Sequence, residues 1–437
     1  MAVNSVNRKG GHMDKLSKED ILILRELAIR VAEIAAHPIH EKRRDQWKAL
    51  NALKPQRPMV WIDQICWHEM NVDNELTIKS QHPVCREYED ILRKTLYRHR
   101  HMQADQVVEP YLEVPIVLTG YTTGYVDWQD SFDFGIKVQD ETISTDAAND
   151  IVSHRYVVQI KEEDDIEKIK MPFLAYDKKR SQEKLAFVQE IFGDSIEVRS
   201  RGCYPVFKLW DTLLQWCGIE SLLLDMAMKP EYIHALANRL TEAYLSGLDQ
   251  LESLGVLGGA DSLIHCTGAY TDELKPEKDV VKAKEMWTAN LCQIFSSVSK
   301  SMHEEYEIAY SRKWYQRFGL GYYGCCEPLH DRIDIIRNIP NIRKISISPW
   351  ADRRIAAEAI GKDFVLSNKP TPAIFAHEHF DNEDVRKDLI ATISVCEKTG
   401  TPVEFILKDL STVQYQPQRL WEWSKLAAEL TGGDVID

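Results

Sequence analysis

Residues 319–368 read GLGYYGCCEPLHDRIDIIRNIPNIRKISISPWADRRIAAEAIGKDFVLSN, and the fold turns on them. Three apolar runs of strand length stand in this stretch, at 319–325, 343–348 and 364–366. Helix-forming segments at 331–338 and 351–360 separate them. Adjacent parallel strands need a long crossover, usually a helix. Strand–helix alternation of this kind therefore predicts a parallel sheet with helices on its faces.

The same alternation extends in both directions. Upstream stand a strand-like run at 262–266 and a helical stretch at 281–302; downstream, helices at 381–398 and 418–430 flank a strand at 403–407. Further upstream, 57–63 reads as a buried strand, 84–103 as a helix, 114–121 as an apolar run and 181–192 as a helix, followed by a short strand at 196–198 and helices at 207–217 and 221–228. The clearest helix starts at Pro230, a good first-turn residue. Ile233, Leu236, Leu240, Tyr244, Leu248, Leu251 and Leu254 recur along it at steps of three or four, and Gly255 closes it. No Gly-rich phosphate fingerprint follows the first strand, which argues against a dinucleotide-binding sheet. An eight-stranded barrel needs roughly 250 residues and tolerates insertions. The expectation is an α/β fold, a (β/α)8 TIM barrel over residues 57–437. A helical segment at 13–56 precedes it, with Ser17 as an N-cap. An inserted β-hairpin at 127–161 interrupts it, with β-like pieces at 135–138 and 156–160. Residues 1–12, ending in Gly10-Gly11-His12, read as an appended leader.

Composition narrows the function classes. The chain has 437 residues, 44% of them hydrophobic, with 11 Trp, which is ample for a core and excludes disorder. Lys and Arg total 54 against 68 Asp and Glu, a net charge of −14 that argues against nucleic-acid or anionic-membrane partners. No run of ~18 uncharged apolar residues suggests a membrane span, and no apolar stretch after Lys9 suggests a secretory signal. Nine scattered cysteines are an odd count, better read as reduced thiols of a cytoplasmic protein than as a disulfide framework.

Barrel active sites lie at the C-terminal ends of the strands. There the sequence places Asp63, Cys66, Trp67, His68 and Glu69; His265 and Cys266; the run Tyr322 to Pro328; Ser367-Asn368-Lys369; and His377-Glu378-His379. Thiol and imidazole groups on one rim favour zinc. Neighbours on a strand face opposite ways, so only one of Cys325 and Cys326 points inward unless the strand has ended. Trp61, Trp67, Tyr322 and Tyr323 line a substrate pocket or fill the barrel. Cys85, Cys203, Cys217, Cys292 and Cys396 read as small buried hydrophobes, and His377 and His379 are also compatible with a solvated loop.

Three stretches carry a resemblance: Gly218 to Asp225 (GIESLLLD) leading into the Pro230 helix, Tyr322 to Leu329 (YYGCCEPL), and Ile345 to Asp352 (ISISPWAD). Together they resemble the uroporphyrinogen decarboxylase-like superfamily, in its branch of corrinoid-protein methyltransferases of the O-demethylase type. The resemblance implies a (β/α)8 barrel with zinc at the strand ends, passing a methyl group to Co(I) of a separate corrinoid (cobalamin) protein. Two departures bear on the activity. Where the decarboxylases carry an Arg-rich loop for the substrate's carboxylates, this chain reads Ile62 to Glu69, with Asp63 and Glu69. A tetrapyrrole polyanion would meet carboxylates there, so porphyrin decarboxylation is not expected. Where relatives carry His-x-Cys, this chain has Tyr323-Gly324-Cys325. Cys325 alone carries over as a zinc ligand, and His265, Cys326 and Glu327 are the substitutes that complete the set.

The function expected is methyl transfer from a small methylated substrate, such as a methoxylated aromatic, to the cobalt of a corrinoid partner protein. Zinc would act as Lewis acid on the ether oxygen, and Asp63, His68 or Glu69 would protonate or orient it. The alternatives are a metal-independent decarboxylase or lyase of the same fold, and a barrel that only binds a corrinoid or a partner. A homodimer is an open arrangement.

Overall fold

The protein is described by a computed structural model over residues 16–123, 130–143, 148–149, 151–258, 261–277 and 280–434. The expected leader, 1–12, lies outside the described residues, as do 127–129, 144–147 and 150 of the expected hairpin.

Eight strands make up the parallel sheets: β1 Met59–Ile62, β2 Tyr111–Pro115, β3 Glu197–Arg201, β4 Trp287–Asn290, β5 Leu320–Tyr323, β6 Ile342–Ile347, β7 Val365–Asn368 and β8 Val403–Leu407. Six form one parallel sheet in the order β1-β8-β7-β6-β5-β4. The other two, β2 and β3, pair in parallel by themselves. Beyond β3, a parallel bridge joins Cys203 to Leu257, just past the Pro230–Leu254 helix, and another, from Phe207 to Asn290, lays the chain against β4. Every residue of β1, β4, β5, β7 and β8 is buried, as expected of parallel strands covered on both faces.

That burial explains one correction. A helix was expected over 281–302, yet β4 lies inside it, between 3₁₀ turns at Ala283–Glu285 and Gln293–Ser297. A strand buried on both sides shows no alternation, so periodicity alone cannot separate it from a helix. The helix starts only at Lys300. It then runs through a π-helical turn, Glu304–Ile308, into Ala309–Tyr315. The run 262–266 is a second correction. It is not a parallel strand but half of a short antiparallel hairpin, Leu263–Ile264 against Thr267–Gly268. His265 turns the chain with a left-handed φ of 54°. Asn51 fixes this hairpin by donating to the Gly268 and Tyr270 carbonyls at 3.1 and 2.8 Å. Gly268 is required there, because a Cβ would lie 2.6 Å from the Trp47 ring.

The N-terminal helices are α1, Lys18–Ala35, and α2, Pro38–Asn51. Ser17 Oγ accepts the Asp20 N–H at 2.9 Å and caps α1 as its sequence predicts. Leu24, Leu27, Ala28 and Val31 of α1 share a core with Tyr88, Leu92, Ile191 and Phe192. Trp47 and Leu50 of α2 pack on Met59, Trp61, Tyr270 and Val365. Within the sheet, Lys344 of β6 and Glu404 of β8 form a fully buried ion pair at 2.8 Å. Lys344 also donates to the Gly268 carbonyl at 2.9 Å, and Thr267 and Ser367 donate to the Glu404 carboxylate. The ion pair thereby ties three strands to the 263–268 hairpin. The inserted segment forms a hairpin of Asp140–Ile143 against Ser153–Tyr156 rather than the β-like pieces at 135–138 and 156–160. Among the described residues no helix is long and apolar enough to cross a membrane. All nine cysteines are free thiols.

A candidate active site around Cys325 and Asp211

Strand β5 ends at Tyr323, and alternation holds to its end. Tyr322 stands 5.1 Å from the His265 ring, and burial, then Cys266 and Glu404, push its hydroxyl far up. Tyr323 faces the opposite way, toward the helix after β4. Its hydroxyl meets Glu307, His303 Nε2 at 2.7 Å and Cys292 Sγ at 3.4 Å. Gly324 then turns the chain at φ 88°, where a Cβ would lie 2.5 Å from Leu329. The strand has ended, so Cys325 and Cys326 are not forced apart, and their Sγ atoms lie 3.5 Å from each other.

The backbone of Cys325 is pinned on both sides. Its N–H donates to Glu327 Oε2 at 2.9 Å, and its carbonyl accepts from Ser346 Oγ at 2.6 Å and Lys369 Nζ at 2.7 Å. Its Sγ lies 3.5 Å from Lys408 Nζ, which also pairs with Asp409 at 2.8 Å. Cys325, Lys369 and Lys408 are all buried. The hydrogen bond from Cys326, then Lys369, Lys408 and His265, hold the Cys325 thiol well below its ordinary range although burial opposes this. Its partner Cys326 is pushed far up by sharing that hydrogen bond. Burial alone would depress both lysines, but the Cys325 charge outweighs it and keeps them above their usual range. At His265 burial also opposes charge, yet Cys266 and Cys325 bring it up to about 9.

A separate cavity of about 150 Å³ is lined by Tyr121, Asp130, Lys208, Asp211, Gln215 and Tyr244 among others; Cys325 is not in its lining. Asp211 belongs to the Leu209–Cys217 helix. Burial, then the charges of Cys325 and Glu327, push its carboxyl up to about 8. A carboxylic acid that stays protonated near neutral pH, facing a cavity, is a general-acid candidate.

The sequence-derived candidates fall into separate places. His265, Cys325 and Cys326 come together. Glu327 does not face the thiol: it sits behind Cys325, with Oε2 on the Cys325 N–H and Oε1 accepting from Cys292 Sγ at 3.0 Å. Glu69 is committed to the loop after β8, accepting from Thr412 Oγ1, Val413 N and Tyr415 N at 2.7, 2.7 and 3.0 Å. His68 lies 3.6 Å from Glu69 and edge-on to Tyr415. Asp63 accepts the Gln64 N–H and lies 3.9 Å from Arg98. Trp67 is flanked by Lys94 and Arg98 and meets the edge of Tyr97. Trp61 packs edge-on against Trp47 at 5.7 Å, in the core rather than a pocket. His377 and His379 are exposed.

The expected zinc set does not converge. Among the described residues, three potential ligand atoms come within 4.8 Å of one another at Cys292, His303 and Glu307, and not within the expected set. That trio is already filled. The Tyr323 hydroxyl donates to Glu307, accepts from His303 Nε2 and lies 3.4 Å from Cys292 Sγ, and Arg332 Nη1 donates to His303 Nδ1 at 2.8 Å. His303 then accepts at Nδ1 and carries its proton on Nε2, the nitrogen a metal would need as a lone pair. At Cys325 the obstacle is electrostatic: a dication would face the ammonium groups of Lys369 and Lys408. The residues present do not fit zinc at either place.

Sequence reasoning missed Asp211, Lys408 and the polar role of Cys292. Lys408 directly follows β8, so the strand-end rule that singled out Lys369 reaches it as well. Asp211 carries no such signal, since an Asp in a helix's first turn reads as a dipole partner. Cys292 was expected to be a structural thiol, but it donates into the network behind Cys325.

No family model matches the chain, and no curated protein matches it. Among solved structures, a methyltransferase from Methanosarcina mazei aligns with a TM-score of 0.50 and 11% identity, covering 89% of this chain and 98% of the other. At that identity the likeness is one of fold.

Proposed function

We propose that the protein transfers a methyl group from a small one-ring methyl ether, bound in the Asp211 cavity, to the cobalt of a corrinoid carried by a separate protein. The observation that carries this reading is Asp211 in the lining of a cavity of about 150 Å³, its carboxyl pushed up to about 8 by burial and then by the charges of Cys325 and Glu327. An apolar cavity of about that volume holds benzene; this one joins the rings of Tyr121, Phe132 and Tyr244 to the polar side chains of Asp130, Lys208 and Asp211. The bond that breaks is the methyl–oxygen bond. The departing aryloxide takes the Asp211 proton, which leaves a hydroxyarene and an aspartate. Lys208 and Gln215, also in the lining, orient the ring's oxygen substituents. A docked, reduced corrinoid would supply the nucleophile that accepts the methyl group. No step is assigned to zinc. The fold reading that accompanies this is a closed (β/α)8 barrel, with the six-stranded sheet and the β2–β3 pair as its two arcs; the bridges beyond β3 support it.

A second reading is a metal-independent decarboxylase or lyase. It is favoured by the two buried ammonium groups at Lys369 and Lys408, which would stabilise an anionic substrate or a carbanion. One incubation separates the two readings: purified protein with methoxylated benzoates and a reduced corrinoid protein, monitored for methyl–cobalt and for carbon dioxide. Methyl–cobalt supports the first, and carbon dioxide without methyl–cobalt replaces it with the second.

A further inference from the structure

We propose that Cys325 is a metal-free thiolate whose counter-charge is supplied by Lys369 and Lys408, two lysines standing where a metal ion would otherwise hold a strand-end thiol. This does not rest on the methyl-transfer reading; it concerns the chemical state of one sulfur.

The geometry is that of a built site. The Cys325 N–H donates to Glu327 and its carbonyl accepts from Ser346 and Lys369, so the position of Sγ is set by its surroundings. Glu327 is itself held by Cys292. Lys408 Nζ stands 3.5 Å from Sγ. Each ammonium carries three donors. Lys369 spends one on the Cys325 carbonyl, and Lys408 meets Asp409 and Sγ. Both side chains are buried, with 4% of their surface exposed. Buried cations persist when anions lie beside them. Asp409 pairs with Lys408, and the Cys325 sulfur faces Lys408, the nearby Lys369 and the His265 imidazole, which Cys266 and Cys325 bring up to about 9. A dication bound at Sγ at ~2.3 Å would sit against the Lys408 ammonium and add to this positive charge. Such a thiolate reacts with soft, uncharged or anionic carbon electrophiles small enough to reach a buried sulfur.

The experiment uses the full chain after chelator treatment, with its metal content measured. Two readouts follow Cys325. One is thiolate ultraviolet absorbance across pH, taken as wild type minus Cys325→Ala. The other is iodoacetamide alkylation at Cys325, read by peptide mass spectrometry; there the sulfur–carbon bond forms and iodide leaves. The proposal expects thiolate absorbance at pH 6.5 in metal-free protein, unchanged by added zinc. It expects Lys408→Met and Lys369→Met to raise the titration midpoint by about one pH unit or more, with about tenfold slower alkylation at pH 6.5, since thiolate fraction sets the rate. Lys408→Arg keeps the charge and should keep the midpoint low. A wild-type midpoint near the ordinary ~8.5, or one zinc per chain whose removal raises the midpoint, overturns the proposal. The wild-type titration decides the matter alone if the methionine variants do not fold. A protein that shows the low midpoint but transfers no methyl group would refute only the function proposed above.

Discussion

Asp211 stands in the first turn of its helix, where the macrodipole favours a charged carboxylate. Burial, with Cys325 and Glu327 nearby, outweighs that and brings it up to about 8. Two outcomes follow. Transfer that needs the neutral acid should decline as pH rises through about 8, and Asp211→Asn should lower turnover by about 10²- to 10⁴-fold with no such decline. Stability gives the matching sign. An unfolded Asp loses its proton near ~3.9, before the folded one does. Wild type should therefore lose stability relative to Asp211→Asn as pH rises from about 4 toward 8, checked by urea midpoints across that range. Glu69 should behave otherwise. Glu69→Ala strips acceptors from two backbone N–H groups and the Thr412 hydroxyl and should cost about 1–3 kcal/mol of folding free energy. A proton-donor role at Glu69 would instead show as lost turnover in Glu69→Gln with stability kept. The residue types at the site were legible, because thiols and an imidazole cluster at strand ends. Their roles were not: whether Glu327 faces a sulfur or lies behind it depends on backbone geometry that no spacing encodes.

Among the elements, the long Pro230–Leu254 helix was readable because it is amphipathic, and the strands after residue 319 because short apolar runs there alternate with helix-forming segments. Strand β4 and the 263–268 hairpin were not. The first is buried on both faces, and the second turns on a left-handed His265, a conformation no periodicity reveals. The inserted hairpin carries a prediction of its own. Asn149, between its two strands, donates to the Ser411 carbonyl at 3.1 Å, which places that residue against the loop after β8. The loop at 371–380 is held by Arg419, which donates to the carbonyls of Phe375, His377 and Glu378. A corrinoid protein docking across these two elements would lose affinity when the hairpin is shortened. The apparent KM for the corrinoid protein should then rise while methyl transfer to free cobalamin stays nearly unchanged. Equal losses with both acceptors would mean that the hairpin builds the site itself.

At the scale of the whole molecule, the buried Lys344–Glu404 pair binds β6, β7 and β8 to the 263–268 hairpin. Lys344→Met alone leaves a buried carboxylate without its cation and should cost about 3–5 kcal/mol, whereas Lys344→Met with Glu404→Gln should recover much of that loss, checked by denaturant unfolding. The parallel class of the fold was legible because crossover helices must separate parallel strands. The pairing order and the ion pair inside were not, since they join residues sixty positions apart. In the function proposed above, a methyl ether is cleaved at Asp211 and its cavity. The most direct test is methyl–cobalt formation from a methoxylated aromatic with a reduced corrinoid protein, run with wild type and Asp211→Asn side by side. The account predicts methyl–cobalt with wild type and a loss of about a hundredfold or more in the variant. Equal rates in the two proteins, or no methyl–cobalt from any methoxylated aromatic, would contradict it.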